Sequence, residues 1–199
     1  SNGFEILRNR IAFYGFDIGN GETYGILNDP ILPAYVTVPN GAGGSSEWAT
    51  KTVAERISDL LTAASALRVQ AGGNIDLKKD PIKLTLSLSV VDYLNDIDSS
   101  TGTAKSVQEW IDDNYSNWVI EDCPEFDEAN AGQNVFYLAA DKVDDGSSDD
   151  NVVMTQVVPA KMVAMGTEQR AKGSFEAYTA AYAGVFTKRA YAVVRYSGV

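Results

Sequence analysis

Hydrophobic positions recur along this chain with two periods, one helical and one of two residues, and the switches between them lay out the elements. Between Phe4 and Tyr14 the residues Ile6, Leu7, Ile11 and Tyr14 fall at helical spacing. Arg8 and Arg10 stand towards the end of that run, where cations suit the helix dipole, and Gly15 is a stop signal. Gly19-Asn20-Gly21 predicts a turn, and Pro30, Pro33 and Pro39 keep the following segment extended. Gly41-Ala42-Gly43-Gly44 reads as a flexible joint. Ser45 or Ser46 is then placed to cap a second helix reaching Gln70, which Gly72-Gly73 ends. Its expected buried face is Val53, Ile57, Leu60, Leu61, Ala64 and Leu67, with Lys51, Glu55, Arg56 and Asp59 turned outward.

The period then shortens. Ile82, Leu84, Leu86, Leu88 and Val90 alternate with Lys83, Thr85, Ser87 and Ser89, the pattern of a strand with one apolar face. A short helix is expected over Val91-Asp92-Tyr93-Leu94, and another around Val107, Trp110 and Ile111, after Ser99-Ser100-Thr101-Gly102. Trp118-Val119-Ile120 and Val135-Phe136-Tyr137-Leu138 predict two further strands. Asp144 to Asp150 is a polar hairpin or loop tip, and Val152 to Val158 resumes as strand. Phe175 to Tyr182 and Val185 to Tyr196 are strand-prone, with Gly184 at their join. The pattern implies an α/β body followed by an antiparallel platform beside the first helix.

Composition mainly excludes. The chain has 199 residues and no histidine, which removes Ser-His and Cys-His catalysis, imidazole zinc ligation and imidazole pH switching. Cys123 is the only cysteine, so no internal disulfide forms. No apolar run approaches the ~20 residues of a membrane-spanning helix. The opening Ser1-Asn2-Gly3 shows neither the basic segment nor the apolar run of a secretory signal. Net charge is −11, unevenly spread: residues 76–150 carry 18 acidic and 5 basic side chains, whereas 151–199 carry 2 and 6. The overall sign opposes tight DNA binding. The separation of signs suits complementary contacts between copies of one protein.

Candidate chemistry is thin. The run Asp141 to Asp150 invites a calcium reading, but it is read as lacking the alternate-position oxygens and closing glutamate of an EF-hand loop. Gly15, Gly19, Gly21 and Gly25 do not follow a strand and precede a helix, as a phosphate cradle requires, and are expected to permit a sharp turn. Glu121, Asp122, Glu125, Asp127 and Glu128 contain no spacing that selects a glycosidase pair. Cys123, followed by Pro124, lacks a basic partner, and Trp48, Trp110 and Trp118 sit on apolar faces as core anchors. No catalytic, cofactor-binding or metal residue is assigned.

The two ends carry a resemblance. Ala12-Phe13-Tyr14-Gly15, a glycine turn, then Tyr24-Gly25-Ile26-Leu27-Asn28 resembles the stretch after the spine helix in tailed-phage major capsid proteins. The run from Gly184 to Val199 is similar to their last strands, a basic-aromatic strand ending in Ser-Gly-hydrophobic. The order of elements between them matches the axial domain of that family. The resemblance, to the Hong Kong 97 type and its prophage members, implies an α+β fold. Residues 1–45 would be the spine-helix end and connecting turn of a peripheral domain, 46–165 an axial α/β domain, and 166–199 strands returning to the peripheral domain. It implies that an N-terminal arm, an extended loop and most of the spine helix lie upstream of Ser1.

The function expected is a structural, non-catalytic subunit of a phage or prophage icosahedral head, assembling in the bacterial cytoplasm into pentamers and hexamers and residing in the virion as its capsid. Its implied partners are copies of itself, with scaffold, protease or portal proteins, packaged DNA only non-specifically, and no membrane. Cofactors are expected to be none. Two alternatives remain open: an acidic-loop module binding a cation or carbohydrate, and a hydrolase using paired carboxylates.

Overall fold

The computed structural model describes residues 2–17, 22–97 and 105–199. The turn at Gly19-Asn20-Gly21 and the segment Ser99-Ser100-Thr101-Gly102 lie outside the described residues. The first half of the chain forms α1 (Asn2–Tyr14), β1 (Phe16–Asp17), β2 (Glu22–Thr23), β3 (Val36–Thr37), α2 (Val53–Gln70), β4 (Ile82–Ser87) and α3 (Leu88–Val91). The second half forms α4 (Val107–Asn114), β5 (Trp118–Cys123), β6 (Val135–Ala140), β7 (Met154–Gln156), β8 (Ala160–Arg170), β9 (Gly173–Ala181), β10 (Val185–Thr187) and β11 (Val193–Ser197). The class is α+β. Two compact units emerge, a sheet unit of residues 31–153 and 189–199 and a hairpin unit of residues 1–30 and 154–188. Sequence had drawn its divisions at residues 45 and 165. Among the described residues no helix is long and apolar enough to cross a membrane.

The sheet unit is built on five strands in the order β3-β11-β6-β4-β5. β6 runs antiparallel to both β11 and β4, while β3 and β5 add parallel edges. Register puts Ile82, Leu84, Leu86, Phe136, Leu138, Val194 and Tyr196 on one face, all of them buried. α2 packs against β6 and β11, and Trp48 lies 5.8 Å from Phe136, which stacks on Tyr196. On the other face Tyr137 and Arg195 are paired in register. Arg195 sits 4.3 Å above the Tyr35 ring and donates to the Pro33 carbonyl at 2.5 Å, so its charge is buried with partners. Covering both faces accounts for the unbroken apolar run of β6.

Four expectations are corrected in this unit. α2 begins at Val53, capped by Thr52 in a capping box with Glu55, so Ser45 and Ser46 do not cap it. Lys51, Arg56 and Asp59 are buried, while Leu61 is exposed. Lys51 Nζ lies 2.6 Å from Asp59, which also accepts from Trp48 Nε1 at 2.9 Å. Arg56 donates to the Trp48 and Tyr93 carbonyls and to Asp96. The glycine joint is a closed turn: Gly41 N–H bonds to the Ser45 carbonyl and Ala42 N–H to Glu55. β4 stops at Ser87, whose hydroxyl reaches the Phe126 and Val135 carbonyls, and Leu88 opens a helical turn rather than continuing the strand.

The terminal run is divided differently from the expectation. Val185–Thr187 pairs with β7 in the hairpin unit, whereas Val193–Ser197 becomes an internal strand of the five-stranded sheet. A period-two pattern identifies a strand but does not choose its neighbours.

Candidate assembly surfaces

In the hairpin unit the motif that followed the first helix proves to be its cap. The last carbonyls of a helix have no partner within it. Here Ile26 N–H bonds to the Ala12 carbonyl and Leu27 N–H to the Phe13 carbonyl, while Asn28 Nδ2 donates to the Tyr14 carbonyl at 2.8 Å. Asn28 Oδ1 in turn accepts from Gly25 N–H at 2.7 Å. Gly25 lies against the Phe13 backbone, where a Cβ has no room, and Gly15 turns with φ +71. Gly19 and Gly21 lie outside the described residues. Asp29 anchors the end of the motif by accepting from the Thr187 hydroxyl.

α1 exposes much of what its periodicity marked for burial. Ile11 is buried, but Ile6, Leu7 and Tyr14 face solvent. Arg8 pairs with Glu5 one turn earlier rather than with the helix end.

The long hairpin of β8 and β9 is the other large open surface, and β8 is a strand the sequence pattern did not reveal. Among the described residues these strands pair only with each other. Met165 is 68% exposed, Phe175 54% and Val163 50%. Cross-strand register puts Val163 opposite Thr179 and Phe175 opposite Glu168, with irregularities on either side of Ala164. Arg170 pairs with Glu168 and covers the Phe175 ring at 5.4 Å. An isolated two-stranded ribbon is marginal in water, and its open edges and apolar side chains invite a further partner.

The acidic loop of the sheet unit closes on Arg189. Its guanidinium lies 2.9 Å from Asp145 and 2.7 Å from Asp149, and takes the Ser147 hydroxyl oxygen at 2.8 Å. Tyr191 donates its hydroxyl to Asp145. These hydrogen bonds, that from Arg189 foremost, hold the Asp145 carboxyl well below the usual range. Residues 144–150 are exposed, as expected of a polar loop tip, but Arg189 ties the loop down; the denial of alternating oxygens is corrected, since Asp145, Ser147, Asp149 and Asn151 stand at every second position. The missing signal was Arg189, far along the chain.

The remaining candidates do not converge. Glu121 and Asp122 stand exposed on the β5 edge, and Asp127 accepts from Ser89. The Cys123 thiol is buried and pushed up to about 12, chiefly by desolvation. Trp48 and Trp118 are core residues, and Trp110 is half-buried, edge-on to Tyr115. A polar pocket bounded by Ser46, Ser89, Tyr93, Asn134 and Gly198 has Glu47 as the sole acidic side chain of its lining.

Among the described residues the acidic candidates stay apart, and broad apolar surfaces are left open. A family model described as Pa193 gp26 major capsid protein matches residues 1–198. The chain belongs to the Pa193 gp26 major capsid protein family. Two solved structures share its fold. The capsid of Myoviridae phage XM1 superposes with a TM-score of 0.68 at 16% identity, over 100% of this chain and 64% of that one. The virus-like particle from Pyrococcus furiosus gives a TM-score of 0.56 at 15% identity, over 98% of this chain and 64% of that one. This member of the capsid family thus spans just under two thirds of the length of those relatives. No curated protein matches it.

Proposed function

We propose that this chain is shell-forming material of a phage or prophage head of the Hong Kong 97 type, which self-associates into pentamers and hexamers and turns nothing over. The family match over residues 1–198 carries the reading. The exposed hairpin of Ala160–Arg170 and Gly173–Ala181 supports it, because assembly needs apolar surface that the subunit itself does not cover. In this reading the sheet unit is the axial domain and the hairpin unit the peripheral one, and the protein resides in the virion. Scaffold, protease or portal proteins join it during assembly, and packaged DNA touches it without sequence preference. The acidic-loop module loses ground to it, since the loop oxygens are already turned onto Arg189. Electron microscopy of the complete gene product tests the proposal: closed shells are expected, and dispersed monomers at high protein concentration would overturn it.

A further inference from the structure

The five-stranded sheet ends on a strand that is open to a further one. Among the described residues β5 pairs only with β4, over six consecutive residues from Ile82↔Trp118 to Ser87↔Cys123 without a bulge. Its outer edge lacks the usual guards, since Trp118–Cys123 contains neither proline nor lysine. Val119, Glu121 and Asp122 are exposed, and the two carboxylates project to opposite faces of the strand. Residues 106–140, which include this edge, hold eight carboxylates and no lysine or arginine. Lys83 on β4 lies 3.6 Å from Glu121, but it is shared with Asp141 at the same distance. A strand that adds to this edge must bring positive charge of its own.

The same chain carries such a strand. Residues 160–172, which are β8 and the turn after it, hold three cations, Lys161, Arg170 and Lys172, against one carboxylate. Glu176 is the single charged residue of β9, so β8 is the cationic edge of the hairpin. β8 is irregular between Ala160 and Thr167, but Thr167 to Arg170 pair regularly with Glu176 to Gly173. Resting on the shell-forming reading above, we propose that the Thr167–Lys172 stretch of one copy adds to the β5 edge of a second copy, laying Arg170 and Lys172 beside Glu121 and Asp122. Backbone hydrogen bonds along the edge supply attraction, and the charges choose the partner. Arg170 is held in the lone subunit only by Glu168, both side chains more than half exposed, a pairing weak enough to exchange. Like pairings are disfavoured: β5 against β5 opposes carboxylates, and β8 against β8 opposes cations. The contact is therefore heterologous, the kind that closes rings when the rotation fits.

Charge exchange in the complete gene product tests the contact. One variant reverses the edge, Glu121→Lys with Asp122→Lys, and a second reverses the hairpin, Arg170→Glu with Lys172→Glu. A third combines all four substitutions, and a fourth, Glu121→Gln with Asp122→Asn, removes the edge charge without reversing it. Shell yield is read by electron microscopy and sedimentation, and folding by circular dichroism melting. Each reversal alone is expected to lose shells while melting as the wild type does, because like charges then face each other between copies. The combined variant is expected to recover them, and the neutral one to give an intermediate yield. Shells of normal yield from either reversal, or a combined variant that folds yet stays dispersed, would overturn the pairing and leave the shell-forming reading standing. A wild type that forms no shells would overturn both.

Discussion

The five-stranded sheet and the β8–β9 hairpin are both made of strands, yet one is finished and the other is not. In the sheet unit β6 and β11 are buried at every position, and each has a partner on both sides. In the hairpin nearly every residue is exposed, and Met165 stands 68% open to water. A core rewards every apolar side chain at once, whereas the hairpin receives that return only when a second surface arrives. The sheet unit is therefore where stability resides, and the hairpin is where association is to be sought.

The comparison breaks most severely at Val193, which is fully buried in β11 opposite Ala139. Val193→Asp places an unpaired carboxylate beneath the strand ladder, and the sheet unit is expected to lose its cooperative thermal transition. A variant that melts like the wild type by circular dichroism would show that β11 is not an interior strand. The next largest effect is expected at Lys51. Lys51→Met leaves the Asp59 carboxylate buried without its cation, at a cost of about 3–5 kcal/mol. Burial foremost already raises the Asp59 carboxyl above its ordinary value, against the hydrogen bond from Lys51. A carboxyl raised on folding binds more protons when native, so stability falls as pH rises above the unfolded value. The deficit of the variant should thus grow from acid pH towards neutrality, which urea midpoints across that range will show. A constant deficit would remove Asp59 ionisation as its cause.

How much of this was legible follows the same division. α2, α4, β4 and β5 are legible because a core stands on one side of each and periodicity records it, and β6 because an unbroken apolar run records a strand covered on both faces. The start of α2 is also readable, since Thr52 and Glu55 have capping-box spacing. The burial of Lys51, Arg56 and Asp59 leaves no mark in the periodicity, because their hydrogen-bond and ion-pair partners, Trp48, Tyr93 and Asp96 among them, meet only in the folded chain. β8 left no trace because Met162, Val163 and Met165 do not alternate against any core. The Gly25–Asn28 motif was recognisable as a likeness, yet its work as a helix cap needed the backbone geometry. Arg189 and its loop lie some forty positions apart, beyond the reach of any spacing rule.

The smallest effect on folding is expected in the hairpin, and it sharpens the comparison most. Met165→Asp and Phe175→Ser exchange exposed apolar side chains for polar ones where no core is disturbed. Each should alter thermal stability by no more than about 0.5 kcal/mol, the range for surface substitutions. Assembly is a different matter, because the same substitutions place a charge or a hydroxyl on surface that is to be buried between copies. A carboxylate trapped in such a contact costs several times more than a serine hydroxyl, which can find a partner. Met165→Asp is therefore expected to abolish shells of the complete gene product in electron micrographs, and Phe175→Ser to reduce their yield. Sedimentation checks the corresponding shift towards small species, with circular dichroism confirming unchanged melting. Shells of normal yield from Met165→Asp would mean that the hairpin stays in solvent after assembly, and the open surface of α1 around Ile6 and Leu7 would then take its place as the contact to test.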